Sequence, residues 1–309
     1  MSEFLSKAEI EQNKENKVDL TNLSISFDSD KNIRNLFSEK KVIENYEEWF
    51  KENKKELEKK QDEIIKAVEM SILTDSDSRT IYNFVVERST KDADNIIKIK
   101  NNLEENLEDI LQKVIKNLEE FIPNWKIPFS KLKFSVYERA DFRIDRNFIY
   151  ADLRRLVYAK KPIEKVIKGI THEVFHIWMG ELNNWLDSKQ EQATNQELKN
   201  QIIYKVIDEG LAVLISEQSL KDYHEKQGRK YSDYKKESFK KFKEFLKENN
   251  RKYLKKTKED EFKNMGNFYV VGYEIVNSIL KKEGLEEFKK IIIEARAKPE
   301  IFLEKYGLI

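Results

Sequence analysis

Cysteine is absent from this chain of 309 residues, so neither a disulfide nor a thiolate metal site can form. Its absence leaves the redox compartment open, because a cysteine-free chain suits any compartment. Glycine (8) and proline (4) are scarce. Few turns are punctuated in the usual way, and the abundance of Lys, Glu, Leu and Ile favours long helices with solvated faces. Long apolar runs are missing too. No stretch approaches the roughly 20 residues that span a bilayer, and the polar segment Met1–Lys17 lacks the apolar core of a secretory signal. The expectation is a cytoplasmic protein with no membrane partner. An excess of one charge is also lacking: charged residues make up 37% of the chain yet sum to +1. A balanced surface gives solubility without the field that captures nucleic acid.

Histidine is nearly absent as well. Of the three in the chain, two stand one helical turn apart in His172-Glu173-Val174-Phe175-His176. Residues at i and i+4 share a helix face, with Cβ atoms about 6 Å apart. Two neutral imidazoles at that spacing can bind one Zn²⁺, and the glutamate between them can reach a water activated there. The bland alternative is a pair of core histidines bonded to their surroundings.

The pattern along the chain supports a helix at this motif. Leu23, Ile25 and Phe27 alternate with Ser24 and Ser26, which suggests a short strand. Helical spacing runs from about 31 to 73, with Trp49, Phe50, Leu57, Ile64, Ile65, Val68 and Ile72 on one face; Asp75-Ser76-Asp77-Ser78 then marks a turn. A second long helix is predicted over about 91–121, with Ile96, Ile99, Leu103, Leu107, Ile110, Val114, Leu118 and Phe121 on its face and Pro123 beyond its end. Residues 131–137 alternate as a strand, and 142–153 read as another strand or a hairpin. Pro162 then opens a helix carrying Ile163, Val166, Ile167, Ile170, Val174 and Ile177 through the histidine pair.

A catalytic zinc site takes three protein ligands and keeps one position open. The third histidine, His224, is one possible ligand. The place six residues after His176 is Leu182, so a single-helix three-histidine site is excluded. Glu181, Asp187, Glu191 and Glu197 follow the motif on a polar stretch where solvated carboxylates are the plain reading. Glu209 differs: it falls on the helical face of Ile202, Val206, Ala212, Val213 and Leu220. A carboxylate amid apolar neighbours is costly unless paired or bound to metal. Gly210 beside it would let two backbones approach, which is read here as packing against the metal-bearing helix.

His172-Glu173-x-x-His176 followed by Glu209-Gly210-Leu211-Ala212 resembles the gluzincin clan of zinc metallopeptidases. Gly266-Asn267-Phe268-Tyr269-Val270-Val271-Gly272-Tyr273 is similar to a segment of small bacterial members described as predicted zinc-dependent proteases. The resemblance covers roughly residues 130–280. It departs in the longer gap between His176 and Glu209, where Asn183 to Asn200 is polar and read as a loop or short helix.

The resemblance implies one Zn²⁺ per chain held by His172, His176 and Glu209, with Glu173 as general base and a peptide or protein as substrate. The oxyanion then needs a hydrogen-bond donor, for which Tyr269, Tyr273 and His224 are the candidates. Asp208 can orient a ligand histidine. Strands leading straight into the metal-bearing helix also fit substrate lying along an edge strand above the site.

The fold implied is α+β and predominantly helical. Residues 1–125 form an N-terminal helical region packed on the core. Residues 126–309 form a zincin-like catalytic domain, with a small antiparallel or mixed sheet and an active-site helix carrying His-Glu-x-x-His.

Two competing readings remain. From Lys226 to Lys258 there are 14 basic and 4 acidic residues, interleaved with Tyr231, Tyr234, Phe239, Phe242 and Phe245. Nucleic acid could use both sets, but the aromatic spacing is helical and points to a core face backed by solvated lysines. The other reading is a non-enzymatic helical protein that binds a partner and holds a structural or degenerate metal site. An esterase or amidase would use the same residues as a peptidase.

Overall fold

The computed structural model describes residues 23–36, 93–122, 131–136, 142–145, 148–157, 159–180, 193–260 and 266–309. Several expectations lie outside these residues: the polar N-terminal segment, the helical face from Trp49 to Ile72, the turn at 75–78, and the carboxylates Glu181, Asp187 and Glu191.

Strand β1 (Ser24–Phe27) leads into a short helix, α1 (Asp30–Leu36). Residues 93–105 are helical, and after Asn106, whose φ is −105°, the chain continues as α2 (Leu107–Phe121). The expected apolar face of this stretch is the buried one. Ile96, Leu103, Ile110, Val114 and Leu118 are all at most 2% exposed, while Lys98, Glu104, Glu108, Lys113 and Lys116 face water. Lys100 is buried and paired with Asp30 of α1 at 2.8 Å.

Strands β2 (Lys131–Ser135), β3 (Phe142–Asp145) and β4 (Phe148–Asp152) follow. The sheet order is β1-β2-β4-β3. Three strands are parallel: Leu132 pairs with Ile25 on one side and with Ile149 on the other. Only β3 runs antiparallel, against β4, with Ile144 opposite Ile149. The sequence reading expects an antiparallel or mixed sheet; the core of the sheet is parallel instead, and only the β3–β4 pair is antiparallel. Strand β4 inserts between β2 and β3, an order that alternation along one strand cannot encode. The Phe27 and Phe134 rings stack across the parallel pair at 4.4 Å.

After the short helix α3 (Leu153–Val157) come the two helices that carry the site: α4 (Pro162–Gly180) and α5 (Asn195–Ile215). Pro162 stands at the first position of α4, where its missing N–H is no loss. Helix α4 is buried on most sides, with Val166, Ile170, Val174, Phe175 and Met179 fully inaccessible. It packs against α2, α5, β3 and β4. Helix α5 opens with a reciprocal cap: the Glu197 amide donates to the Thr194 hydroxyl, and the Thr194 amide donates to the Glu197 carboxylate. Residues 195–200, expected in a loop or short helix, are the first turns of this long helix.

The remainder is helical: α6 (Leu220–Lys226), α7 (Tyr231–Lys247), α8 (Arg251–Asp260), α9 (Asn267–Glu283), α10 (Leu285–Ala295) and α11 (Ile301–Tyr306). Helix α9 lies along α5 and also contacts α7. Phe242 and Phe245 of the lysine-rich segment are fully buried against Phe268, so these aromatics form a core face. Among the described residues no helix is long and apolar enough to cross a membrane.

Candidate metal centre

Helix α4 carries His172 and His176 on one face, with ring centroids 4.6 Å apart and planes at 85°. Helix α5 crosses this face and brings Glu209 to them. His172 Nε2 and His176 Nε2 are 3.0 Å apart. Glu209 Oε2 lies 3.4 Å from the first and 3.3 Å from the second. His172 and Glu209 are buried, 8% and 6% exposed, and His176 is partly buried beside them.

The triangle fits a metal ion. Tetrahedral zinc with bonds of about 2.0–2.1 Å holds its ligand atoms about 3.3 Å apart. The donor set, two imidazoles and one carboxylate, is one that zinc takes in catalytic sites. The orientation of His176 agrees. Its Nδ1 is 2.8 Å from Asp208 Oδ2, and a proton donated there leaves a lone pair on Nε2. Electron-rich atoms converging in a buried place need a cation or protons between them. His172 has no comparable partner at Nδ1 among the described residues.

Without metal, burial works against charge throughout the site. It lifts the Glu173 carboxyl above its ordinary range, and the two imidazoles only partly offset this. Burial pushes Glu209 the same way, but His176 and His172 outweigh it and hold this carboxyl well below the usual range. Burial also disfavours the His176 imidazolium. There Asp208 and Glu209 prevail, and the pKa stands well above that of an ordinary imidazole. Asp208 is raised by burial despite its bond to His176.

A family model described as "Putative zinc dependent peptidase (DUF5700)" matches residues 31–307. The chain belongs to this family. No curated protein and no solved structure matches it. The family match begins far upstream of the segment that carries the resemblance noted above, so this zinc-peptidase family takes in most of the N-terminal region as well.

The other expected site residues divide. On α9, the Tyr269 hydroxyl donates to the Glu209 carboxylate, and burial together with that negative charge raises its pKa. Tyr273, one turn further, is half-buried and packs with Tyr231 and Tyr234 against Val213, Leu220 and Val270. His224 is fully buried. Its ring lies 4.1 Å from that of Tyr234 and 5.2 Å from that of Tyr223, and it is not one of the three clustered ligands. Glu197 serves the cap of α5.

Two further contacts shape the centre. Gly210 packs against Gly272 of α9, not against α4, which corrects the partner expected for it. Arg296, which the sequence reading missed, donates from Nη2 to the Trp178 carbonyl at 2.7 Å and lays its guanidinium 4.1 Å from the Trp178 ring centroid. It thereby satisfies one of the open carbonyls in the last turn of α4. No local signal marks an arginine 118 residues away as that cap.

Proposed function

We propose that the chain is a gluzincin-type zinc metallopeptidase, with one Zn²⁺ per chain held by His172, His176 and Glu209. The observation that carries the reading is the triangle of Nε2, Nε2 and Oε2 atoms, 3.0–3.4 Å on each side. When bound, zinc would activate a water molecule and polarise the scissile carbonyl.

The chain's own groups supply the rest. Glu173, beside His172 and outside the ligand triangle, takes a proton from the attacking water and returns it to the leaving amine. Its raised pKa suits a group that must both accept and give a proton near neutrality. Tyr269 is the favoured donor to the oxyanion, because its hydroxyl already lies at Glu209. Tyr273 is a second donor on the same helix, whereas the tyrosines around His224 make it the least favoured of the three. Peptides are the substrate we propose, with residues 126–309 as the catalytic domain and residues 1–125 packed on it.

The test is metal content by mass spectrometry, followed by peptide hydrolysis. About one zinc per chain is expected in the wild type and much less in Glu209→Ala. Glu173→Gln should keep its zinc while hydrolysis falls by about 10²–10⁴-fold. A wild type that takes up no zinc after addition and dialysis would overturn the site. Full hydrolysis by the Glu173→Gln variant would overturn the mechanism.

A further inference from the structure

Helices α5 and α9 touch backbone to backbone beside the metal ligands. A Cβ on Gly210 would lie 2.2 Å from the Gly272 carbonyl carbon, and a Cβ on Gly272 would lie 1.9 Å from the Val206 carbonyl oxygen. Neither glycine has a positive φ, so glycine is needed here for closeness and not for backbone conformation. The atoms in the way belong to helical backbone and cannot rotate aside. One methyl group at either place must part the helices by on the order of 1 Å.

The crossing adjoins the metal site on both helices. Gly210 directly follows Glu209. Gly272 lies three residues after Tyr269, on the same face of α9. The Tyr269 hydroxyl donates to Glu209, and a hydrogen bond is lost over about 1 Å of added separation.

We propose that Gly210 and Gly272 are positioning residues, whose backbone contact holds the Tyr269 hydroxyl on Glu209 and so fixes the orientation of the third metal ligand. The inference rests on the zinc reading above. It makes α9 part of the metal centre, although α9 supplies no ligand. A phenol donates a single hydrogen bond, so as oxyanion donor Tyr269 turns this proton from Glu209 to the reacting carbonyl.

The experiment uses the full chain and two probes, zinc for affinity and Co²⁺ for the visible spectrum that reports ligand geometry. Tyr269→Phe and Gly272→Ala should each weaken zinc binding about 10–100-fold and shift the cobalt bands. The double variant should bind no more weakly than the worse single variant, as expected when one residue acts through the other. Gly284→Ala is the control. Gly284 ends α9 with φ +78° and open space around its Cβ position, so its replacement should lower Tm and leave the cobalt bands alone.

A Gly272→Ala protein with lowered Tm but wild-type bands and affinity would overturn the positioning role, as would losses that add in the double variant. If Gly272→Ala does not fold, Tyr269→Phe decides: wild-type bands and affinity overturn the proposal, and altered ones support it. A wild type that binds neither zinc nor cobalt overturns the zinc reading itself, which is a different result from bands that fail to move.

Discussion

Asp208 Oδ2 lies 2.8 Å from Nδ1 of His176, while the very next residue, Glu209, brings Oε2 to within 3.3 Å of the other nitrogen of the same ring. Consecutive residues on a helix point about 100° apart, so α5 grips both edges of one imidazole from a single turn. One carboxylate orients the ring, and the other would share a metal ion with it. Replacing Asp208 with Asn keeps the size but removes the charge that fixes the ring's tautomer. Zinc affinity is expected to fall about 10–100-fold, measured by competition with a chelator. Unchanged affinity would show that packing alone orients His176.

Zinc binding should also depend on pH in a defined direction. In the metal-free protein Asp208 and Glu209 overcome the burial of His176 and hold its pKa well above the ordinary imidazole value. The metal must therefore displace that proton at neutral pH. Apparent affinity is expected to rise by about tenfold per pH unit up to the folded pKa of His176 and to flatten above it. Glu209 adds nothing over this range, since its lowered pKa keeps it ionised. Titration calorimetry in two buffers of different ionisation enthalpy would count the proton released. Release of none would mean that His176 is already neutral.

Much of this centre was legible in the sequence because its signals are local. The i, i+4 histidines, the carboxylate on an apolar helical face and the alternation in β2 each depend on neighbours a few residues away. What was missed depends on partners far along the chain. The insertion of β4 between β2 and β3 is a matter of strand order, which alternation does not record. Gly210 announced a close approach, but nothing beside it names Gly272 as the partner. His224 stands in a short polar helix, and only the fold closes Tyr231 and Tyr234 over it. The Trp178 carbonyl needed a donor, and the donor is Arg296.

Glu197 provides a contrast between two carboxylates of α5. The sequence places it on a polar stretch of solvated carboxylates, and in the structure it closes the cap with Thr194. Glu197→Ala should lower Tm and keep the full zinc content. Thr194→Ala should do the same, at a cost of about 1 kcal/mol. Loss of zinc from the Glu197→Ala protein, with Tm unchanged, would place that residue among the ligands.

The sheet meets α4 at Gly169, three residues before His172. The Phe142 ring of β3 fills the space a side chain would take, with ring atoms 2.2–2.4 Å from where a Cβ would stand. Among the described residues β3 pairs only with β4, and its other edge is where an extended peptide would add as a further strand. A methyl group at Gly169 must push the ring, and the strand with it, away from α4. Overpacking of this kind costs about 1–3 kcal/mol. If substrate lies along β3, Gly169→Ala should raise KM more than it lowers kcat and leave zinc content at the wild-type level, because the ligands sit on α4 and α5. Equal loss in kcat with KM unchanged would mean that the strand does not hold the peptide. Loss of zinc would mean that Phe142 braces the histidines themselves.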